Sequence, residues 1–238
     1  MAFPDKLKCE VENYINKHHP NQAWWEQYFD IAFVSDVELA KRLVQEMMSI
    51  RTVYQLLEGL RAQNELLRAQ SKIQIITYAS VYEAILHHII FKTDLKLNQE
   101  VINLLSKEKY VKRSLPMPHQ NITHNGEIIY TMAKVPITRE ERYIKFEEIL
   151  HVTQKLNLID SSLYEDLLEL YNLRNAIHIH AEIAKGINYQ LEISKKAHKL
   201  IKPFKNQIID GLKAHKLVDR KYNVKFSRKE LIPKFDIQ

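Results

Sequence analysis

Apolar residues recur every three or four positions along most of this chain of 238 residues, and this period predicts a protein built mainly from α-helices. The N-terminal helices are predicted at residues 5–18, 22–33, 36–48 and 52–70. The third of them should begin after Ser35, whose hydroxyl suits an N-cap. Residues 71–91 are apolar on nearly all sides. They predict a buried helix rather than a membrane span, because Glu83, His87 and His88 interrupt the run.

One region departs from the helical pattern. Residues 110–137 contain three prolines and have β-prone runs on both sides of Asn125-Gly126. An Asn-Gly pair flanked in this way is the strongest short signal for a β-hairpin. We therefore expect a small hairpin, residues 116–137, inserted into an otherwise helical fold.

Further helices are predicted on both sides of this hairpin, at residues 98–108, 138–156, 161–185 and 192–215. Thr138 and Glu141 have the spacing of a capping box and should open the second of them. Ser161 or Ser162 should cap the third. The last helix should be kinked or restarted near Pro203.

The third of these helices carries an arginine in its apolar stripe. At about 100° per residue, Arg174 points in nearly the same direction as Leu167 and Leu170. A lone charge in such a position needs a partner or an interface. Arg174 could form a structural ion pair with Glu147 or Glu148 of the preceding helix, or it could be a functional residue.

The polar residues near Arg174 suit cleavage of a phosphodiester. The same helical wheel places four of them to one side of it: Tyr171, Asn175, His178 and Glu182. His180 lies on the far side. An arginine fork can hold the charge that builds on phosphate oxygens, and a histidine can move protons near neutral pH without a metal. The alternative is that His178 is a hydrogen-bonded core histidine.

A second polar feature lies within the apolar helix 71–91. Ser80, Glu83 and His87 are spaced by three and four residues, so they form one narrow polar stripe. The functional interpretation directs this stripe at Arg174, with Glu83 orienting the guanidinium or a histidine. The structural interpretation is a hydrogen-bond network between two helices.

The string Leu173-Arg174-Asn175, followed by His178 and His180, resembles the motif of the HEPN superfamily. These all-helical proteins include many metal-independent ribonucleases of toxin and abortive-infection systems. Their motif is an arginine, usually followed by a polar residue, then four to six intervening residues and a histidine. His180 follows Arg174 after five residues and fits this spacing, whereas His178 follows after three. The family spacing favours His180 and helix geometry favours His178, so both are candidates.

The resemblance implies an all-α HEPN-like domain at residues 71–215, preceded by a helical extension (1–70) and followed by a basic tail (216–238). It implies a metal-independent endoribonuclease of a toxin or antiviral defence system. In such an enzyme the RNA 2′-OH attacks its own phosphate, a histidine moves the proton and Arg174 stabilises the transition state. Asn175 would position a phosphate or the histidine. The alternative is a non-catalytic helical RNA-binding or scaffold subunit of a defence complex.

Composition excludes several other classes. The chain has four glycines, of which the closest two are 25 positions apart, so neither a P-loop nor a Rossmann fingerprint is present. A single cysteine, Cys9, and an N-terminus without a leader pattern predict a cytoplasmic protein. His178 and His180 diverge by about 200° on a helix and cannot chelate one ion. We expect no metal or cofactor.

Positive charge is concentrated towards the C-terminus. Residues 195–234 contain 13 Lys and Arg against three acids, a net charge of +10, whereas the whole chain carries +6. Four lysines begin this region: Lys195, Lys196, Lys199 and Lys202. Lysines spaced along a helix in this way are typical of a surface that binds RNA, or of an ordinary solvated helix face.

The position of Arg174 also predicts an assembly. On the continuous helix His180 lies too far round to meet Arg174, so a second copy of the helix would have to supply the missing group. A two-fold contact does this with the same patch on each subunit. We therefore expect a homodimer, or a heterodimer with a related or regulatory chain, as the resemblance to HEPN ribonucleases also implies.

Overall fold

The computed structural model describes residues 4–18, 22–30, 34–113 and 123–218. Its α-helices are α1 Asp5–His18, α2 Gln22–Tyr28, α3 Val37–Gly59, α4 Asn64–Lys92, α5 Gln99–Leu105, α6 Phe146–Lys155, α7 Ser161–Asn175, α8 Ile179–Lys185, α9 Leu191–Lys199 and α10 Ile201–Ala214. Its strands are β1 Ser106–Arg113, β2 Thr123–His124, β3 Glu127–Ile128 and β4 Thr131–Thr138. The expectation of a mostly helical protein with a small β-hairpin is confirmed.

The boundaries of the two long helices differ from those predicted. α3 begins one residue later than expected, because the Asp36 carboxylate and not Ser35 accepts a hydrogen bond from the Leu39 N–H, at 3.0 Å. The helix then continues past Met48, since residues 49–51 contain no glycine or proline to end it. It ends at Gly59, and Arg61 has a left-handed φ of 49°. The left-handed position that often follows the end of a helix is therefore occupied by Arg61 and not by Gly59, so the glycine does not end the helix in its usual way.

α4 runs without interruption through the boundary predicted between residues 70 and 71. It is the central helix and packs against α3, α6, α7 and α9. The residues of the predicted extension share one hydrophobic core with the rest of the described chain. Trp25 and Tyr28 of α2 are 2% exposed, and the Tyr28 hydroxyl donates to the Ile201 carbonyl of α10 at 2.7 Å.

A row of polar side chains joins α4 to α9, and we call it the α4–α9 seam. The Tyr82 hydroxyl donates to the Ala197 carbonyl at 2.7 Å. The Tyr78 hydroxyl lies 3.1 Å from His198 Nδ1, and Ser194 donates to the Gln74 side-chain carbonyl. The three α4 residues are four positions apart, so one face of the helix makes all three contacts.

The inserted hairpin is longer than predicted. β1 pairs antiparallel with β4 along eight residues each, from Ser106 opposite Thr138 to Arg113 opposite Thr131. β2 and β3 pair around Asn125-Gly126, and both of these residues have positive φ, 53° and 83°. The Asn-Gly prediction is therefore confirmed, because a tight hairpin turn of this kind needs positive φ at both positions. The predicted part at residues 116–122 lies outside the described residues.

Three helix boundaries were predicted wrongly: the end of α5, the start of α6 and the N-cap of α7. α5 ends at Leu105, because residues 106–108 pair with β4 instead. Thr138 ends β4 and does not form a capping box, and α6 begins at Phe146. At α7 the cap is Asp160, whose carboxylate accepts from the Leu163 N–H at 2.8 Å, and not Ser161 or Ser162. The predicted restart near Pro203 is confirmed: α9 ends at Lys199, and Pro203 lies in the first turn of α10, where it is tolerated.

Candidate functional site at the α7–α8 break

The helix that carries the motif is not continuous. α7 ends at Asn175 and α8 begins at Ile179, with His178 in an extended conformation between them (φ −69°, ψ 133°). The Leu173 carbonyl, which residue 177 would bond in a continuing helix, accepts from the Tyr189 hydroxyl at 2.9 Å. This contact helps to end α7. The helical wheel is therefore wrong for every motif residue beyond Asn175.

Arg174 lies in the last turn of α7 and is paired within its own chain. Its Nη1 donates to a carboxylate oxygen of Glu83 on α4. The two side chains are about one third exposed, 32% for Arg174 and 33% for Glu83. The expected contact between the α4 stripe and Arg174 is thus present. Neither of the alternatives, Glu147 and Glu148, pairs with it within the described residues, and Glu148 binds Arg139 instead.

The ion pair with Glu83 occupies only one edge of the Arg174 guanidinium. Among the described residues no other hydrogen bond or ion pair is made by Arg174, so Nε and Nη2 stay available. A guanidinium has five N–H donors in a planar fork. The partly exposed, singly bonded Arg174 could therefore bind a phosphate oxygen while Glu83 fixes its position.

Glu182 holds α8 against α4. Its carboxylate accepts from Lys72, at 2.5 Å, and from Arg68. The hydrogen bond from Lys72 and that from Arg68 lower the pKa of Glu182, so the carboxylate is ionised at neutral pH. Glu182 was predicted to lie beside Arg174 and support it. It binds a separate pair of cations instead.

Three predicted motif residues are exposed at the break. The side chains of Asn175, His178 and His180 are open to solvent. Neither imidazole makes a hydrogen bond within the described part of the chain. His178 is therefore not a core histidine. The break leaves both histidines accessible to a ligand, close in sequence to Arg174.

The other two predicted supporting residues have packing roles. Tyr171 lies against the Phe146 ring, with centroids 5.2 Å apart. His87 packs edge-on against Phe91, and its burial lowers the pKa of the imidazole. Ser80 donates to the Ile76 carbonyl of its own helix. Of the predicted stripe, Glu83 alone contacts Arg174.

Three residues at this site were not predicted from the sequence: Tyr189, Arg68 and Lys72. Tyr189 is 4% exposed and bonds the end of α7, and Arg68 binds Glu182. The spacing of Arg68 and Lys72 on one helix face was visible in the sequence. Their partner Glu182 is more than a hundred positions away, and no local pattern connects residues at that distance.

The four predicted RNA-binding lysines divide into two groups. Lys196 is bound by Asp166 and Glu169 of α7, each at 2.6 Å, so its charge is neutralised. Lys195, Lys199 and Lys202 have no carboxylate partner among the described residues. Beyond position 218 the predicted basic tail lies outside the described residues.

A shallow groove of about 350 Å³ runs along α7 and is lined in part by Glu165, Glu169, Asn172 and Lys185. None of the predicted catalytic residues lines it. The groove is lined by two carboxylates and one lysine, so its charge does not favour the binding of an anion such as phosphate. Within the described ranges no group of three or more His, Cys, Asp or Glu is placed to hold a metal ion.

Comparison of the chain with protein-family models, with curated proteins and with solved structures found no match. None of the described helices is both long enough and apolar enough to cross a membrane. The residues at the α7–α8 break are therefore the basis for assigning a function.

Proposed function

We propose that this protein is a metal-independent endoribonuclease of the HEPN type, with its active site at the α7–α8 break. The observation that carries this proposal is the arrangement of Arg174. Glu83 fixes the guanidinium from one side, its remaining donors are available, and exposed Asn175, His178 and His180 follow within six positions. The remaining donors lie on a partly exposed side chain, where a phosphate oxygen can reach them.

The reaction uses these groups as follows. The RNA 2′-OH attacks the adjacent phosphorus and loses its proton to a histidine, while the bond from phosphorus to the 5′-oxygen breaks and that oxygen is protonated. Arg174 stabilises the negative charge on the phosphoryl oxygens. Asn175 donates a hydrogen bond to a phosphate oxygen or to the histidine. The products are a 2′,3′-cyclic phosphate and a 5′-OH.

His180 is the better candidate for the proton transfer. The reason for preferring His178 was that it would lie one helical turn from Arg174, and the break in the helix removes that reason. His180 keeps the spacing of the HEPN motif. A comparison of His180→Ala with His178→Ala tests this assignment: the first should lose cleavage and the second should keep most of it.

The dimer stays a prediction. It was inferred because Arg174 needed a partner from a second copy, and Glu83 of the same chain provides one.

A second function, a non-catalytic RNA-binding or scaffold subunit, is favoured by one observation. The carboxylate of Glu83 neutralises Arg174, as it would in an ion pair that only joins α4 to α7. An ion pair that only joins α4 to α7 does not use the remaining Arg174 donors, whereas catalysis and RNA binding both use them, so cleavage of RNA is what separates the two functions.

The proposal is tested by incubating the purified chain with single-stranded RNA in excess EDTA and identifying the product ends. We expect cleavage that leaves 2′,3′-cyclic phosphate, and no cleavage of DNA of the same sequence, which has no 2′-OH. Arg174→Ala purified in parallel should be inactive, which excludes a contaminating nuclease. Intact RNA across a wide range of sequences and concentrations, or activity that disappears with EDTA, would contradict the proposal.

A further inference from the structure

The β1–β4 hairpin stands out because it is exposed on both faces. Every residue of β1 is exposed, and in β4 only Ala133 and Val135 are partly covered. A two-stranded hairpin in water is at best marginally stable by itself. Its exposed side chains include several large apolar ones: Tyr110, Val111, Ile128, Ile129, Tyr130, Met132 and Ile137. Such a surface is typical of a binding site.

The register of the hairpin separates its two faces. Tyr110 lies opposite Lys134, and Lys112 lies opposite Met132, so these four side chains share one face. Tyr130 belongs to the same face, because Lys112 Nζ lies over its ring at 2.9 Å from the centroid. We call this surface, formed by Tyr110, Lys112, Tyr130, Met132 and Lys134, the tyrosine face. It combines exposed aromatic rings with cations.

The two tyrosines are accessible and separated. Tyr110 is 59% exposed and Tyr130 is 45% exposed. Lys134 opposes Tyr110 and is four residues from Tyr130, so the rings are about 13 Å apart along the strand. Each ring could therefore stack on a different base. Lys112 lies over one face of the Tyr130 ring, so a base would stack on the other face, and Lys134 lies 5.9 Å from the centroid of the Tyr110 ring. Both ammonium groups are close enough to the rings to neutralise the phosphate of a stacked nucleotide.

Charge decides which partner fits this face. The described residues of the hairpin, 106–113 and 123–138, contain five Lys and Arg against two Glu, a net charge of +3. The whole chain carries +6, so two copies of the hairpin would repel each other. A polyanion with exposed aromatic bases is complementary to both features. Double-stranded RNA is a poorer fit, because its bases are stacked and paired inside the helix.

We propose that the tyrosine face binds single-stranded RNA by stacking Tyr110 and Tyr130 on unpaired bases. The choice of RNA over another single-stranded nucleic acid rests on the function proposed above. The hairpin thereby presents an unpaired segment of the substrate to the protein, and it selects such segments over duplex.

The test measures binding of the full chain to a labelled single-stranded RNA in which every 2′-OH is methylated. Such RNA cannot be cleaved by 2′-OH attack, so binding is measured whether or not the protein is a ribonuclease. We expect the double variant Tyr110→Ala/Tyr130→Ala to bind at least about 30-fold more weakly, because stacking contributes about a factor of ten or more per base. Tyr110→Phe/Tyr130→Phe should bind like the wild type, since it keeps both rings.

A matched control lies on the opposite face of the same hairpin. Val111→Ala/Ile137→Ala also removes two exposed apolar side chains, and it should leave RNA binding unchanged. Equal losses in this control and in the tyrosine-to-alanine variant would overturn the proposal, because the loss would then reflect an unfolded hairpin. Weak binding by the phenylalanine variant would also overturn it.

Three further results would assign the face to another partner. These are equal affinity for duplex RNA, binding to phosphatidylserine vesicles but not to RNA, and a self-association that the tyrosine-to-alanine variant abolishes. If methylated RNA binds as expected while unmodified RNA stays intact, the proposed ribonuclease fails and the tyrosine face stands.

Discussion

Helix α4 supplies polar side chains to two regions, the α4–α9 seam and the α7–α8 break. These side chains differ between the two regions in how deeply they are buried and in how completely they and their partners are hydrogen-bonded. In the seam, Tyr82 and Gln74 are nearly inaccessible, and both have a partner on α9. At the break, Glu83 and Arg174 are about one third exposed, and Arg174 uses only part of its hydrogen-bonding capacity.

This difference separates a structural polar contact from a candidate functional one. Buried polar groups with complete partners stabilise one packing arrangement, and loss of one partner leaves the other unsatisfied. Partly exposed ion pairs contribute little to stability, so the Arg174–Glu83 pair is a candidate for a role other than holding the fold together. The comparison leads us to expect large effects on stability in the seam and large effects on activity at the break.

The largest effect on stability is expected for Tyr82→Ala. Tyr82 is 1% exposed, and its ring packs edge-on against Phe204 at 4.9 Å between centroids. Its removal should lower the free energy of unfolding by about 3–5 kcal/mol, measured by urea denaturation. Tyr82→Phe keeps the ring and should lose only about 1 kcal/mol, for the hydrogen bond to Ala197. A small loss in the alanine variant would show that the seam does not hold α9 on α4.

A smaller effect is expected from pH, acting through His198. Burial, with a further contribution from the nearby Arg51 cation, lowers the pKa of His198 to about 4 from 6.5. The unfolded chain therefore binds a proton between pH 6.5 and pH 4 that the folded chain does not. Stability should rise with pH across this window, by at most about 3 kcal/mol.

His198→Gln isolates this contribution, because the other histidines are unchanged in it. The wild type should lose more stability than the variant when the pH falls from 6.5 to 4.5. Parallel pH profiles for the two proteins would mean that His198 titrates normally and is not enclosed.

The smallest effect on global stability is expected for Glu182→Gln at the break. Glu182 anchors α8 to α4 through Lys72 and Arg68. These contacts lower the pKa of Glu182, so the carboxylate should lose them only at acid pH. We expect an unchanged unfolding midpoint but faster amide hydrogen exchange at residues 176–186. Glu192→Gln on α9 is the control, since Glu192 is exposed and makes no ion pair with any residue that the structure describes. Equally slow exchange in both variants would mean that the carboxylate does not fix α8.

The sequence was sufficient for the helical character and the hairpin, and it offered the pairing of Glu83 with Arg174 as one of several alternatives. Helical period and an Asn-Gly turn are local signals, and both are strong here. The stripe on α4 also required a polar partner, and Arg174 was the charge in the facing apolar stripe.

The break between α7 and α8 could not be predicted in the same way. Residues 176–178 contain no proline or glycine, so local propensity allows the helix to continue. One contact that favours its end is the hydroxyl of Tyr189, sixteen positions beyond Leu173, and this contact exists only in the folded protein. The helical wheel consequently placed Glu182 beside Arg174, and the dimer was inferred from the same wheel.

The most direct test of the central claim compares two Arg–Glu ion pairs of this chain. Arg174–Glu83 lies at the break, whereas Arg139–Glu148 joins the end of the hairpin to α6, with both Arg139 Nη atoms on the carboxylate at 2.6 and 2.8 Å. That contact lowers the pKa of Glu148 to about 2. No histidine of the motif is near it in sequence.

Cleavage of RNA in EDTA and the free energy of unfolding should be measured for Arg174→Ala and Arg139→Ala side by side. We predict that Arg174→Ala lowers cleavage by at least about 100-fold and stability by less than about 1 kcal/mol. Arg139→Ala should lower stability by about 1–2 kcal/mol and leave cleavage unchanged. If Arg174→Ala instead loses stability and keeps cleaving RNA, Arg174 is a structural residue and the active site is not at the α7–α8 break.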